Sequence, residues 1–169
     1  MERFNDDLST LIERIGSNQP QVVLGRLEKV RSKLVELKQR NMVGNSDLAS
    51  GVYHYVCKGH SLEIVKEGDH RKQLRQASLD QEPVENCALD IVIAAIYHRT
   101  TVKYGDRGRD RYVPMEAGHV AENICLQAQS LGLGTVTIGA FYDDHVREVI
   151  AAPAECVPLY VMPVGRTVQ

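Results

Sequence analysis

Residues 103–141 read KYGDRGRDRYVPMEAGHVAENICLQAQSLGLGTVTIGAF and carry most of the information about the architecture of this chain. An arginine-rich loop, a long amphipathic helix and a glycine-punctuated strand are predicted here without a break. The helix is predicted because apolar residues recur at steps of three and four, which places them on one buried face. Gly132 is expected to end it, since glycine tolerates the positive φ of a helix C-terminus. The residues of this apolar face are Ala117, Val120, Ala121, Ile124, Ala128 and Leu131.

Strands and helices in mixed order are predicted on both sides of this segment. The sequences VYHYV and LEIV flank CKGHS in the manner of a β-hairpin. The run ALDIVIAAIY is almost entirely apolar, as expected for a central strand that is covered on both faces. The predicted strands are 52–56, 62–65, 88–97, 135–139 and 159–164, and the predicted helices are 69–79 and 143–150.

Residues 1–42 have the pattern of a helical hairpin. Apolar residues from Val23 to Leu37 alternate steps of four and three, which is the seam of a short coiled coil. A seam of about two heptads is marginal alone, so we expect it to contact the body of the domain or a second copy of the chain. Many Lys and Arg residues in this helix indicate a solvated face, with a nucleic-acid or acidic-partner patch as the alternative. NMVGNSDLASG at 41–51 predicts a boundary between a dimerisation segment, 1–48, and a shortened domain, 49–169.

The bulk composition fits one compact cytoplasmic domain. A chain of 169 residues with 43% apolar composition can bury a core, and a net charge of −2 gives no argument for nucleic acid or an anionic membrane as partner. No apolar run approaches the roughly 20 residues that cross a bilayer, and the polar start MERFNDD differs from a signal peptide. The four cysteines are widely spaced, so reduced thiols are expected in preference to disulfides.

Seven short motifs occur in a fixed order between about residues 50 and 166. They are GVYHY at 51–55, KYG at 103–105, RY at 111–112, E-x-GH-x-x-x-N at 116–123, GLG at 132–134, IGAF at 138–141 and PLYVMPVGR at 158–166. Their order and spacing resemble the FMN-dependent nitroreductase superfamily, and within it the SagB-type dehydrogenases that oxidise azoline rings in peptide natural products. Residues 1–48 show no such resemblance.

The resemblance implies a fold, a cofactor and partners. The fold is α+β, a three-layer α/β/α domain with a mixed, mainly antiparallel sheet, to which the N-terminal helical hairpin is added. A homodimer is implied, with the helix from about Pro114 to Leu131 at its centre. The implied cofactor is FMN, with NAD(P)H as a reductant and a small molecule or a peptide as substrate.

One part of the family pattern is not recognisable in this sequence. Family members carry an arginine and serine cluster that holds the flavin phosphate, upstream of the GVYHY-like strand. Arg31, Ser32 and Lys33 have a similar composition, but they lie in a strongly helical pattern, so we do not assign them this role.

The catalytic pair that the resemblance implies is Lys103 and Tyr104. They match a lysine and tyrosine pair that lies beside the flavin and is assigned the proton transfer. The chemistry requires such a group, because hydride loss that forms a C=N or C=C bond also requires removal of a proton. Tyr104 is expected to donate a hydrogen bond or to hold the lysine. The structural alternative is a solvated lysine beside a packed tyrosine.

The resemblance also implies four cofactor-binding residues. Gly139, Ala140 and Phe141 match the loop that presents backbone N–H groups to the isoalloxazine edge, where small residues let the backbone approach a flat ring. Arg166 matches a basic phosphate contact, and its guanidinium offers a planar fork to phosphate oxygens. Alternatively, Gly139 only ends a strand and Arg166 is only solvated.

Other polar patterns are interpreted as structural. Arg107, Arg109 and Arg111 could bind an anionic group, but pairing with Asp106 and Asp110 is the favoured interpretation. Two further patterns place polar side chains at metal-like spacings, yet neither supplies a complete ligand set, so no metal site is predicted. These patterns are Glu116, His119 and Asn123 on one helix face, and His54, Cys57 and His60 across the hairpin.

Two functions of different classes remain open. The first is an FMN-dependent oxidoreductase that transfers hydride through flavin N5. The second is a shortened, non-catalytic relative that has lost flavin binding and serves as a scaffold or binding subunit beside a full-length partner. Retention of Lys103, Tyr104 and the Gly139 loop favours the first function, and the unrecognised phosphate cluster favours the second.

Overall fold

The computed structural model of the chain describes residues 49–56 and 61–166. The predicted N-terminal hairpin, and with it the segment 1–48, lies outside the described residues. The described strands are β1 (Gly51–Val56), β2 (Ser61–Glu67), β3 (Leu89–Ala95), β4 (Gly134–Thr135) and β5 (Val157–Gly165). The α-helices are α1 (Arg71–Ala77), α2 (Glu82–Asn86), α3 (His98–Tyr104), α4 (Val113–Ser130) and α5 (Asp143–Val149), and a π-helix spans Gly108–Tyr112.

A three-stranded antiparallel sheet in the order β3-β5-β4 forms the middle layer. Leu89 pairs with Val164 and Ala95 pairs with Val157, so β3 and β5 run past each other along their full length. The strand β5 is therefore the central one, and the prediction that 88–97 would be central is wrong for the described sheet, where β3 lies at an edge. A central strand is covered on both faces, and β5 meets this condition because its four consecutive residues 161–164 are buried.

Helices cover both faces of this sheet. Neighbouring residues of a strand point to opposite faces, and Val161 and Met162 in β5 lie in two different apolar clusters. Val161 packs with α1, α2 and α5, whereas Met162 packs with α4. The predicted three-layer α+β architecture is therefore confirmed, and every strand pairing among the described residues is antiparallel.

The helix α4 begins and ends close to the predicted positions. Its buried residues include Ala117, Ala121, Ile124 and Ala128, which confirms the predicted apolar face. Gly132 has a φ of 66° directly after the helix, as its role at the C-terminus requires. The predicted hairpin is also confirmed, because β1 and β2 pair antiparallel.

Two local predictions are wrong. The arginine-rich segment is helical instead of a loop, because α3 is followed after Gly105, with a φ of 55°, by the π-helix. Gly108 permits this packing, since a Cβ there would lie 3.1 Å from Thr100 Cγ2 and 3.2 Å from Tyr104 Cβ. The strand predicted at 135–139 is interrupted, since β4 ends at Thr135 and only Ile138 regains a bridge, to Val161.

Candidate cofactor site

Lys103 and Tyr104 lie on the last turn of α3, and both side chains are exposed. The Lys103 Nζ atom lies 5.2 Å from the centroid of the Tyr104 ring, within the range of a cation–π contact. The Tyr104 ring also meets the Tyr112 ring edge to face, with centroids 5.0 Å apart. The tyrosine therefore lies between the lysine and a second ring.

The loop Gly139–Phe141 leaves the edge of the sheet after a bridge in which Ile138 and Val161 exchange two backbone hydrogen bonds of 2.9 Å. It is held at three further points. The Ala140 carbonyl accepts from Gln81 Nε2 at 3.1 Å, the Tyr142 N–H donates to the Ala77 carbonyl at 2.9 Å, and Phe141 packs on the α1, α2 and α5 cluster. Its backbone is consequently fixed on both sides.

The backbone of this loop has donors and open space available for a ligand. Within the described residues, no acceptor is hydrogen-bonded to the N–H of Gly139 or of Phe141. Gly139 is exposed, and the nearest atom to a Cβ built there is Tyr160 Cε1 at 3.8 Å. Two free N–H donors on an anchored, open loop fit the edge of a planar, hydrogen-bonding cofactor.

Arg166 follows β5 directly and is exposed. It lies at the end of the sheet where Leu89 pairs with Val164, whereas α3 follows β3 at the other end, where Ala95 pairs with Val157. Six residue steps at roughly 3.3 Å separate these ends by about 20 Å. A single chain therefore places Arg166 and the start of α3 at opposite ends of the sheet.

The arginines of the π-helical segment are not paired as expected. Arg107, Arg109 and Arg111 are all exposed, and in the part of the chain that the structure describes no ion pair joins them to Asp106 or Asp110. The Arg109 guanidinium lies 5.2 Å from the centroid of the Tyr97 ring instead. The favoured interpretation of internal ion pairing is therefore wrong.

A buried polar cluster around Asp90 was not predicted. Both carboxylate oxygens of Asp90 are buried and lack a hydrogen-bond partner among the described residues. Arg71 is engaged elsewhere, because its Nη1 donates to the Cys87 carbonyl at 2.6 Å and its Nε and Nη2 donate to Asp69. The Cys87 thiol donates to the Val84 carbonyl at 3.3 Å. The one feature of the sequence that could have indicated this cluster is Asp90 itself, which is the only charged residue in the apolar run ALDIVIAAIY at 88–97.

The environment of this cluster shifts three pKa values. Desolvation raises the pKa of Asp90 to about 7. Burial, together with the neighbouring Asp90 carboxylate, raises the pKa of the Cys87 thiol to about 12, so the thiol stays neutral. Hydrogen bonds from Arg71 lower the pKa of Asp69 to about 2. Asp90 is thus a carboxyl group whose ionisation the fold disfavours.

The two metal-like patterns differ in how far the structure describes them. In α4, the Asn123 amide donates to the His119 carbonyl at 2.9 Å, and burial raises the pKa of Glu116. In the hairpin pattern, Cys57 and His60 lie outside the described residues. Among the residues that are described, no three His, Cys, Asp or Glu side chains are arranged to hold a metal ion. None of the described helices has the length and apolar character to cross a bilayer.

The sequence profile of the Nitroreductase family matches residues 27–166. This chain belongs to the nitroreductase family. The match confirms the resemblance to the nitroreductase superfamily. It also corrects the statement that residues 1–48 lack a resemblance, because residues 27–48 lie inside the matched range.

Two curated relatives show how the chain compares in length. A Methanocaldococcus jannaschii protein named as nitroreductase MJ1384 is 45% identical over 130 residues, covering 77% of this chain and 63% of that protein. An NADPH-dependent oxidoreductase of Staphylococcus aureus is 29% identical over 154 residues, covering 84% of this chain and 57% of that protein. The chain thus spans about three fifths of the length of these relatives.

Two solved structures share the fold. A nitroreductase from Anabaena variabilis superposes with a TM-score of 0.69 at 32% identity, over 73% of this chain and 25% of that one. The Escherichia coli microcin synthetase McbBCD, in complex with truncated pro-MccB17, contains a chain that superposes with a TM-score of 0.64 at 25% identity. This match covers 74% of the present chain and 47% of that chain.

Proposed function

We propose that the chain is a flavin-dependent oxidoreductase subunit that uses FMN and is reduced by a nicotinamide nucleotide. The observation that carries the proposal is the anchored Gly139–Phe141 loop, whose Gly139 and Phe141 N–H groups have no acceptor within the described residues. Membership of the nitroreductase family supports FMN as the group that such a loop would hold. When bound, FMN would supply a hydride acceptor and donor at its N5 atom.

In this proposal, each candidate residue has one role. The loop N–H groups donate to the edge of the flavin ring and orient it. Lys103 accepts or returns a proton of the substrate, and the Tyr104 ring, 5.2 Å from its ammonium, limits where the lysine side chain can lie. Arg166 binds a phosphate oxygen through its guanidinium fork.

We further propose that two copies of the chain complete one site. Arg166 and the start of α3, the helix that carries Lys103 and Tyr104, lie at opposite ends of the β3–β5 pair, which are about 20 Å apart along the strands. A homodimer could bring the catalytic pair of one copy to the cofactor contacts of the other. The exposed face of α4, which includes Met115 and Leu126, is a candidate contact surface for this dimer.

The proposed substrate is a small molecule or an azoline ring in a peptide. The KYG motif and the structural likeness to a chain of the microcin synthetase complex support the second possibility. Lys103 would remove the ring proton that accompanies hydride loss. Because the Lys103 side chain is exposed on the last turn of α3, a peptide-sized substrate could reach it.

A non-catalytic scaffold is the second candidate function. The location of Arg166 and of the start of α3 at opposite ends of the β3–β5 pair within one chain supports it. A scaffold would act beside a full-length partner and would not hold FMN.

A pair of variants at Gly139 tests the enzyme proposal. Gly139→Pro removes the backbone N–H, whereas Gly139→Ala keeps it and adds a Cβ at an ordinary distance of 3.8 Å from Tyr160. Proline requires an extended preceding residue, which Ile138 satisfies in its bridge to Val161. We expect the proline variant to lose at least about tenfold in FMN affinity, measured by absorbance titration, and the alanine variant to change it less than about threefold. Equal affinities in both variants would remove the loop from the proposed site.

A further inference from the structure

The direction of each free N–H group in the Gly139–Phe141 loop is set by the carbonyl group of the same peptide unit. A trans peptide unit is planar, so its C=O and N–H bonds point in opposite directions. All peptide bonds of the described residues are trans. The Gly139 N–H shares its peptide unit with the Ile138 carbonyl, which accepts from the Val161 N–H at 2.9 Å. The sheet itself therefore aims the Gly139 N–H away from Val161.

The Phe141 N–H is aimed by a side chain instead. It shares its peptide unit with the Ala140 carbonyl, which accepts from Gln81 Nε2 at 3.1 Å. Because the carbonyl points at Gln81, the N–H points away from it, and it meets no acceptor within the described residues. A hydrogen bond to the carbonyl also polarises the N–H of the same unit, which makes it a stronger donor. Gln81 thus acts on both the direction and the strength of this donor.

A second hydrogen bond holds the Gln81 side chain in place. Its Nε2 also donates to the Ser78 carbonyl at 3.0 Å, so one NH₂ group joins two carbonyl oxygens. Since neither carbonyl can donate, the nitrogen of the amide must face them and the amide oxygen must point elsewhere. Both hydrogens of the side-chain amide are therefore used.

The turn that precedes Gln81 has an uncommon backbone. Leu79 and Asp80 have φ values of 55° and 57°, in a region that residues other than glycine rarely adopt. The Asp80 N–H donates to the Arg75 carbonyl at 3.0 Å, and the Gln81 N–H donates to the Ser78 carbonyl at 3.3 Å. Backbone strain persists where surrounding contacts determine the conformation, and it is concentrated at functional sites. This turn brings Gln81 to a loop that lies 59 residues further along the chain.

We propose that Gln81 is a positioning residue of the candidate cofactor site, whose amide fixes the Ala140–Phe141 peptide unit so that the Phe141 N–H donates to the flavin ring. The inference rests on the proposed function, because it assigns a further residue to the same site. Gln81 acts only through the Ala140 carbonyl and does not contact the cofactor. The Gly139 donor is independent of Gln81, since the sheet aims that N–H.

Two variants of Gln81 separate hydrogen-bond donation from the shape of the side chain. Gln81→Met keeps a similar length and removes the donor. Gln81→Glu keeps the shape, donates only while its carboxyl is protonated, and repels both carbonyl oxygens when it is ionised. Gln73→Met, at an exposed position of α1, is the control for the substitution itself. Absorbance titration of the purified 169-residue chain with FMN, at about pH 5 and about pH 8, measures the affinity.

We expect Gln81→Met to bind FMN about tenfold more weakly than the unmodified chain at both pH values. Gln81→Glu should match Gln81→Met at the higher pH and should recover part of the affinity at the lower pH, where its carboxyl regains a donor. The ratio of the two variants at each pH cancels titrations elsewhere in the protein. Gln73→Met should lie within about threefold of the unmodified chain.

A signal that does not depend on flavin tests the hydrogen bond itself. The carbonyl ¹³C chemical shift of Ala140 in the chain without FMN should move in Gln81→Met, whereas that of Ile138 should stay unchanged, because its partner is Val161. Circular dichroism establishes that each variant is folded. A purely structural role for Gln81 would lower the unfolding free energy and leave the FMN affinity of the folded chain unchanged.

Equal FMN affinity in Gln81→Met and in the unmodified chain would overturn the inference and leave the proposed function intact. An affinity ratio of Gln81→Glu to Gln81→Met that stays constant with pH would also overturn it, because donation would then not be the cause. An unmoved Ala140 shift would remove the hydrogen bond on which the inference depends. An unmodified chain that binds no FMN would refute the proposed function, and the inference would fall with it.

Discussion

Replacing Asp90 by Asn is expected to stabilise the protein above neutral pH. Both Asp90 oxygens are buried without a hydrogen-bond partner among the described residues, and desolvation raises the pKa of this carboxyl from 3.8 to about 7. Folding therefore favours the protonated form. An asparagine has a similar shape and carries no charge to desolvate, so it removes this penalty.

The size of the effect follows from the pKa shift. A rise of about three pH units corresponds to about 4 kcal/mol at most, since each unit is worth about 1.4 kcal/mol. Asp90 is not fully buried as a residue, and its amide replacement also needs hydrogen-bond partners, so about 2 kcal/mol of net stabilisation is the expected result at pH 8. Well below pH 3.8, both the folded and the unfolded carboxyl are protonated, and the advantage should vanish.

The sign of the pH dependence is therefore fixed. A carboxyl whose pKa is raised in the folded state costs no stability below the unfolded value of 3.8 and costs the full amount above about 7. The difference in unfolding free energy between Asp90→Asn and the unmodified chain should grow between these pH values and then level off. The charges of Arg71 and Asp69 act on Asp90 and change the size of this difference in unfolding free energy, but they do not change its sign.

Urea unfolding followed by circular dichroism at pH 4, 6 and 8 measures this difference. Glu148→Gln makes the same chemical change at an exposed position of α5 and serves as the control, with an expected effect within about 0.5 kcal/mol at each pH. A destabilised Asp90→Asn variant at pH 8 would refute the reasoning. A difference that stays constant with pH would refute it equally, because the desolvated charge would then not be its cause.

Two further predictions concern packing, and urea unfolding measures both. Met162→Ala should lower the unfolding free energy by about 2 to 5 kcal/mol, because this side chain is 0% exposed between the sheet and α4. Val136→Ala, at a residue 48% exposed, should change it by less than about 1 kcal/mol, and equal effects would contradict the layer arrangement. Gly108→Ala should lower the unfolding free energy by about 1 to 3 kcal/mol, because the new Cβ would lie 3.1 Å from Thr100 Cγ2. Its control is Gly118→Ala in α4, where a new Cβ meets no atom within 4 Å, and this change should raise the unfolding free energy by up to about 1 kcal/mol. A neutral Gly108→Ala would show that the π-helical segment does not need the close approach.

The parts of the fold that the sequence predicts well are those with a strong local pattern. The helix α4 has a repeated apolar face and a glycine at its end, and both features are set by neighbouring residues. Likewise, the antiparallel pairing of β1 with β2 follows from two short strand patterns that are close together in the sequence. Such elements do not depend on knowing which distant segment they contact.

The errors arise where distant contacts decide the structure. The run 88–97 is apolar enough for a central strand, but the pairing partners place β5 in the centre and β3 at the edge of the described sheet. The polar segment 105–112 has loop-like composition, and the packing of Gly108 on α3 makes it helical. The cluster at Asp90 required the position of α1, which brings Arg71 to the Cys87 carbonyl.

In the candidate site too, local sequence patterns predict some features, and distant contacts decide the others. The motifs indicate which residues could carry the chemistry, and the structure adds that Arg166 and the start of α3 lie at opposite ends of the sheet. No local pattern contains that separation, because it depends on the register between β3 and β5. This separation is the reason that the proposed site is completed by a second copy of the chain.

The FMN stoichiometry of the purified 169-residue chain tests the central claim most directly. The chain is incubated with excess FMN, unbound flavin is removed by gel filtration, and flavin absorbance is compared with protein concentration and with the mass of the particle in solution. The proposal predicts flavin retained at about one per chain in a particle of two chains. A chain that retains no flavin under these conditions would contradict the oxidoreductase proposal and would favour the scaffold beside a full-length partner.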